Sequence, residues 1–353
     1  MFPYLATAGA LLFANAVLSA NDSLGRPIPT TTRGSKARPA KIAYGSIERL
    51  DPAFDRLIAP GASMEKLASG FRWSEGPAWL PRERALVFSD VPQNVIYKWS
   101  DANGLEEYLR PSGYTGQLLK FREQGSNGLT TDAEDRLVVC QHGDRRISRY
   151  LGHGRFSPIA EFHNGRRFNS PNDLVFDHRG NLYFTDPPYG LEGMDQSPLK
   201  EMAFNGVFVR RTDGSVSLLT REMTFPNGIA LSPDEKTLYV NQSDPAKPVI
   251  LAFPVNEDGS LGRSRVYFDM APLVPSGKGM PDGLKVDRGG NVYSTGPGGV
   301  LVIDPSGKLL GRLLTGEPTG NCAWGDDGST LYITANMHLL RIRTLAKGAG
   351  WRH

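Results

Sequence analysis

The chain has little of what marks several common protein classes. It carries only two cysteines, Cys140 and Cys322, in different repeats of the pattern described below. That argues against a disulfide and for two buried, inert thiols. Charge of one sign is barely in excess: 40 Lys and Arg against 37 Asp and Glu leave a net charge of +3. No run of Lys and Arg interleaved with aromatics could line a phosphate track, so nucleic acid is not an expected partner. No long amphipathic helical pattern occurs, which argues against a TIM barrel or a doubly wound sheet, since both need helices between strands. A phosphate-cradling glycine loop is also missing, because Gly296-Pro-Gly-Gly299 lies between strand-like runs and reads as a turn.

Long apolar runs are absent too. The stretch from Leu11 to Leu18 is mostly apolar but short and interrupted by Asn15, so no membrane span is expected in the mature chain. The first 20 residues hold no charged side chain, and Val17-Leu18-Ser19-Ala20 offers small residues to a signal peptidase. Residues 1–20 therefore read as a signal peptide, which would make the protein secreted or periplasmic. The basic start usual for such signals is missing. The plainer alternative is a lightly packed extension on a cytoplasmic chain. Residues 21–54, rich in Pro, Thr, Ser, Arg and Lys, read as a solvated linker. Residues 55–346 form the domain, and 347–353 a C-terminal tail.

What the chain has in quantity is turns, with 40 Gly and 26 Pro, and a repeated phrase. The phrase opens at Glu75-Gly-Pro, Asn127-Gly-Leu, Asn172-Asp-Leu, Asn227-Gly-Ile, Asp282-Gly-Leu and Asn321-Cys-Ala. Successive heads are 52, 45, 55, 55 and 39 residues apart. After most heads come a short apolar run, an Asp/Gly turn and further β-rich runs. In the third repeat Asn172 to Asp177, Leu182 to Asp186, Gly206 to Arg210 and Ser215 to Leu219 read as four strands. Four strands per repeat of this length imply a blade, and six repeats imply an all-β, six-bladed propeller of four-stranded antiparallel blades around a central channel. The sixth repeat is one strand short after Leu339 to Arg343. A strand from residues 55–71, with Met64-Glu-Lys-Leu as the candidate, is expected to close the ring and remove its exposed edges.

First strands run beside the channel, so their heads should meet at one end. The plainer reading of Asn or Asp before Gly is a turn. Six polar heads in register point further, to a ring of carboxylate and amide oxygens with no His or Cys. Such a hard set suits Ca²⁺ first, then Mg²⁺ or Mn²⁺. Asn321, followed by Cys-Ala, is the head best explained as structural.

Further phrases carry a resemblance. They are Trp73-Ser-Glu-Gly-Pro-Ala-Trp79, Phe88-Ser-Asp-Val-Pro92, Ser126-Asn-Gly-Leu-Thr130, Cys140-Gln-His-Gly-Asp-Arg-Arg146, Asn169-Ser-Pro-Asn-Asp-Leu174, Tyr183-Phe-Thr-Asp-Pro-Pro-Tyr-Gly190, Phe225-Pro-Asn-Gly228, Pro281-Asp-Gly283 and Gly296-Pro-Gly-Gly-Val300. In order and over residues 65–343, they resemble the SMP-30/gluconolactonase/luciferin-regenerating-enzyme family, most of all its bacterial gluconolactonases.

The resemblance implies one divalent cation held by Glu75, Asn172, Asn227 and Asp282. Ca²⁺ comes first among its candidates, with Zn²⁺, Mg²⁺, Mn²⁺ or Fe²⁺ as alternatives. It implies a hydrolase that opens a small-molecule sugar lactone, the cation polarising the carbonyl and Asp282 serving as general base. Asn127, His142 and Tyr189 would contact the substrate. Two other readings stay open at this point: another hydrolase on the same site, acting on phosphotriesters, fluorophosphates or non-sugar lactones, and a non-enzymatic propeller whose metal is structural.

Overall fold

Strands that are apolar on both faces decide the architecture. In Gly206–Arg210 successive side chains point to opposite sides, as the pleat requires. Val207 and Val209 pack with Ile229, Leu238 and Val240 of the following repeat. Phe208, between them, packs with Val138, Cys140 and Ile147 of the preceding one. A sheet buried on both faces must stack between two neighbours, and six of them in a ring leave none unpartnered.

The computed structural model describes residues 42–350. It is the expected propeller of six blades, each antiparallel, with strands following one another in sequence from the axis outward except at the outer edges of the fifth and sixth blades. The inner strands are Ser74–Leu80, Ser126–Thr131, Leu174–Phe176, Pro226–Leu231, Leu284–Val286 and Asn321–Gly325. Each packs beside the next, and the sixth beside the first. Six apolar clusters fill the six interfaces between blades. Burying one such Phe or Leu contributes about 1.5–3 kcal/mol. Among the described residues the only helical elements are three 3₁₀ turns, Pro52–Arg56, Met194–Gln196 and Ala271–Ser276. None of the described helices is long and apolar enough to cross a membrane.

The ring closes in the sixth blade. Glu65–Ser69 pairs antiparallel with His338–Arg343, Ser69 opposite His338 and Glu65 opposite Arg341. Arg341 then salt-bridges Glu65 at 2.8 Å and lies over the Trp99 ring of the first blade. The N- and C-terminal parts of the propeller are thus locked into one sheet.

The signal-peptide reading of residues 1–20 lies outside the described residues, as does the linker reading up to residue 41. Residues 42–54 differ from a linker. Ile42–Ala43 extends the sixth blade by pairing with residues 65–66, and Ser46–Arg49 adds a fifth strand to the fifth blade against Leu309–Leu314. Phe54 is buried between those two blades. Residues 347–350 also pack, with the Ala349 N–H donating to the Val286 carbonyl at 2.8 Å. Such short edge pairings carry no periodicity of their own, so composition alone made residues 42–54 look solvated. Cys140 and Cys322 are free and buried in different interfaces.

Candidate active site at one mouth of the channel

The heads converge because each stands at, or two residues before, the start of an inner strand. In the first, second and fourth blades the ladder bulges there, between Glu75 and Ala78, Ser126 and Leu129, and Pro226 and Ile229. A bulge re-aims the side chains it carries, here toward the axis. In the third and fifth blades the ladder starts later, and Thr185 and Thr295 bond the backbone around Asn172 and Asp282.

The glycine after a head is set by close approach, and Gly76 also takes a left-handed backbone, φ +50°. A Cβ on Gly76 would lie 1.9 Å from the Asn127 carbonyl oxygen, and one on Gly228 2.2 Å from that of Asp282. The same glycines bond around the ring: Gly128 N–H to the Asn172 carbonyl at 2.7 Å, Gly228 N–H to that of Asp282 at 2.9 Å, and Gly283 N–H to that of Gly320 at 2.7 Å. Gly320 in turn lies against the Glu75 carboxylate. Heads of neighbouring blades are therefore held at one level by backbone contacts.

The third blade breaks the pattern with Asp173 in place of glycine. Its Oδ2 is 3.5 Å from Lys285 Nζ and accepts from Asn321 Nδ2 at 3.3 Å. The Asn321 Oδ1 accepts from Lys285 Nζ at 3.2 Å and from the Cys322 N–H at 2.9 Å. Asn321 is thus bound up in a cross-channel network and has the structural role read from its neighbours.

The other heads are less satisfied. Glu75, Asn127, Asn172 and Asn227 are all buried. The side-chain amides of Asn127 and Asn172 make no hydrogen bond among the described residues. Asn227 Nδ2 donates to Ser243 Oγ at 2.9 Å, and its amide also reaches Asp282 and Tyr189. Glu75 Oε2 accepts from the Gly76 N–H at 2.9 Å. Burial, then the charges of Asp173 and Glu123, push the Glu75 carboxyl up to about 8, against the pull down of the Gly76 N–H and a smaller one from Lys285. Burial pushes Asp282 up as well, followed by the charges of Glu75, Glu123 and Asp173.

Two carboxylates that burial and mutual repulsion hold back from ionising, beside amides with open oxygens, fit a divalent cation. Its charge would balance theirs, and its preference is for hard oxygens. Glu75, Asn172, Asn227 and Asp282 are the residues that would hold it. Among the described residues no three His, Cys, Asp or Glu side chains group as a metal site. That agrees with a donor set in which half of the oxygens come from amides.

The expected substrate contacts separate. Asn127 lies in the ring of heads. Tyr189 is half-buried at the mouth, its ring stacked on Phe225 at 5.9 Å, its hydroxyl within reach of Ser243 and Asn227. Burial, reinforced by the Asp282 charge, raises its phenol. His142 is fully covered, and neither ring nitrogen has a hydrogen-bond partner. Burial first, and the Arg122 charge second, push it down to about 3, so it is neutral. A ligand would have to displace part of the wall to touch it. Sequence reading missed Asp173, Lys285 and Glu123. The first had a visible signal, an Asp where most of the other heads are followed by Gly. Glu123 sits in a loop outside the repeat.

Two cavities lie elsewhere. One of about 560 Å³ is lined by Lys200, Asn205, Arg221 and Thr224. Another of about 670 Å³ opens at the opposite end of the channel, lined by Ala78, Leu129, Lys285 and Trp324. Neither is lined by Glu75, Asn172, Asn227 or Asp282. We place the site by its chemistry, because the convergent carboxylates and amides are at the heads.

Residues 73–337 match the SMP-30/gluconolactonase/LRE-like region family. The chain is 39% identical over 317 residues to the gluconolactonase of Zymomonas mobilis subsp. mobilis, covering 86% of this chain and 87% of that protein. It is 26% identical over 278 residues to the pentonolactonase of Haloferax volcanii, covering 74% and 81%. The structure of a gluconolactonase from Xanthomonas campestris superposes with a TM-score of 0.75 at 33% identity, over 88% of this chain and all of that one.

Proposed function

The chain belongs to the SMP-30/gluconolactonase/LRE-like family, and on that premise we propose that it is a divalent-cation-dependent lactone hydrolase. Its substrate would be a sugar lactone of the gluconolactone kind, opened to the aldonic acid. The observation that carries the reading is the pairing of a buried carboxylate, Glu75, and a half-buried one, Asp282, with the amides of Asn172 and Asn227 at one mouth of the channel.

In this reading those four residues hold one divalent cation, Ca²⁺ first. When bound, the cation supplies electrophilic polarisation of the lactone carbonyl. Asp282, half-buried at the mouth, takes the proton of the attacking water. Positioned general bases of this kind contribute about 10²–10⁴-fold. Asn227, anchored on Ser243, keeps Asp282 oriented. Asn127 and the Tyr189 hydroxyl provide the donors and acceptors that a polyhydroxylated ring requires. His142 backs the wall of the pocket and keeps it dry and rigid. Below the heads, Asp173, Lys285 and Asn321 hold one another across the channel and form the floor of the site.

The test is hydrolysis of D-glucono-1,5-lactone, followed by acid release against the spontaneous rate, beside an aryl phosphotriester. Each is assayed as purified, after chelation, and after adding back Ca²⁺. Chelator-sensitive turnover of the lactone above that of the triester is the expected result. Triester turnover alone would make the chain a different hydrolase on the same site, and no turnover of either would favour a binding platform.

A further inference from the structure

One half-buried acid near the heads belongs neither to the donor set nor to the channel floor. Glu123 lies in the segment between the first and second blades, held against the loop that carries Tyr189. The Arg122 N–H donates to the Gly190 carbonyl at 3.0 Å and the Glu123 N–H to the same oxygen at 3.4 Å. Arg122 Nη1 reaches the Tyr189 carbonyl at 3.2 Å. Phe121 and Leu191 are bridged in the same way. Behind Gly190 the wall is tight, since a Cβ there would lie 2.8 Å from both the His142 and the Ser170 Cβ atoms.

This packing brings the Glu123 carboxylate beside the site, close enough for its charge to act on Glu75, Asp282 and the Tyr189 phenol. The other acids there are engaged: Glu75 and Asp282 as donors in the proposed cation set, Asp173 by Lys285 and Asn321. Glu123 Oε1 meets Arg122 Nη1 at 2.9 Å. Its Oε2 accepts no hydrogen bond among the described residues. His142 Nδ1 stands 3.9 Å from it, beyond bonding distance. The Glu123 side chain keeps 19% of its surface open, whereas His142 behind it keeps none. Burial raises the Glu123 carboxyl against the opposing charge of Arg122, and its open oxygen, backed on one side and exposed on the other, is free to take a donor from outside the protein.

We propose that Glu123 is a specificity-determining residue of the pocket, accepting hydrogen bonds from ring hydroxyls of a polyhydroxylated lactone. The inference rests on the lactonase reading for its substrate. A lactone without hydroxyls offers Glu123 no donor and would cover its carboxylate without replacing the water it loses. Sites built to bond a hydroxyl discriminate strongly against the analogue that lacks it. His142, neutral and unpartnered, gives the carboxylate a wall that neither neutralises it nor competes for its open oxygen.

The test uses the whole protein, Glu123→Gln and Glu123→Ala, with metal content and thermal melting measured for each. The first readout is preference, kcat/KM for D-glucono-1,5-lactone over that for δ-valerolactone. It is expected to fall about tenfold or more in Glu123→Ala, the loss typical of a hydrogen bond to a charged group, mainly through KM. Glu123→Gln, which keeps an acceptor but loses the charge, is expected to fall between the two. The second readout needs no turnover: calorimetric binding of 1,5-anhydro-D-glucitol, a ring polyol with no carbonyl, should weaken in the same order. A wild type that hydrolyses neither lactone overturns the lactonase reading, while the polyol titration still decides the role of Glu123. Preference and polyol affinity both unchanged in Glu123→Ala, or no polyol binding by the wild type, would overturn the proposal.

Discussion

Replacing Glu75 by Gln should make the metal-free protein more stable at neutral pH and less able to bind a cation. The Glu75 carboxyl is buried, and its pKa is raised from 4.5 to about 8. Between those values the unfolded chain has Glu75 ionised while the folded, metal-free chain holds it protonated. The folded state then binds more protons, so its stability falls as pH rises from 4.5 to about 8. At pH 7 the difference amounts to roughly 3 kcal/mol, at about 1.4 kcal/mol per pH unit. Glu75→Gln removes that cost, and for a domain of this size it corresponds to a rise in Tm of roughly 5 °C. The variant should lose its advantage near pH 4.5. The assay is thermal melting by circular dichroism in chelator, from pH 4.5 to pH 8, for both proteins. Added Ca²⁺ should then stabilise the wild type increasingly with pH, since cation and protons compete for the same oxygens, and should do little for the variant. Curves that coincide at every pH, with and without Ca²⁺, would refute the assignment of Glu75 to a repelling, cation-binding pair.

Asp282→Asn should lower kcat/KM for D-glucono-1,5-lactone by at least about 100-fold, with an unchanged far-ultraviolet spectrum; turnover close to wild type would remove Asp282 as the base. Phe208→Ala, in the interface between the second and third blades, should cost about 3–5 kcal/mol in urea unfolding, and a loss below about 1 kcal/mol would contradict its burial between two sheets. Export with cleavage after Ala20 should yield a mature chain starting at Asn21 by N-terminal sequencing. A cell-retained chain starting at residue 1 would rule out the signal peptide.

The blades were legible because their signals are local. Runs such as Leu182 to Asp186 and Gly206 to Arg210 alternate on two apolar faces, and turn residues punctuate them. The missing outer strand of the last blade pointed to its replacement, and Glu65–Ser69 supplies it. Strand pairs as short as Ile42–Ala43 were not legible, since what orders them is the sheet edge already present. At the site, the repeat exposed the heads but not their partners. Asp173 and Lys285 meet only because the channel brings the third and fifth blades together, across a separation no local pattern records. Glu123 arrives on an irregular loop with no counterpart in the other repeats. The His-Gly-Asp phrase drew attention to His142, yet the phrase could not show that Gly190 packs against it and that its ring is fully covered.

The most direct measurement is lactone hydrolysis with the bound metal counted on the same sample. D-glucono-1,5-lactone turnover should vanish when chelation removes about one divalent ion per chain, and return in proportion as Ca²⁺ is restored. Full turnover by a chain shown to hold no metal would contradict the claim that Glu75, Asn172, Asn227 and Asp282 work through a cation.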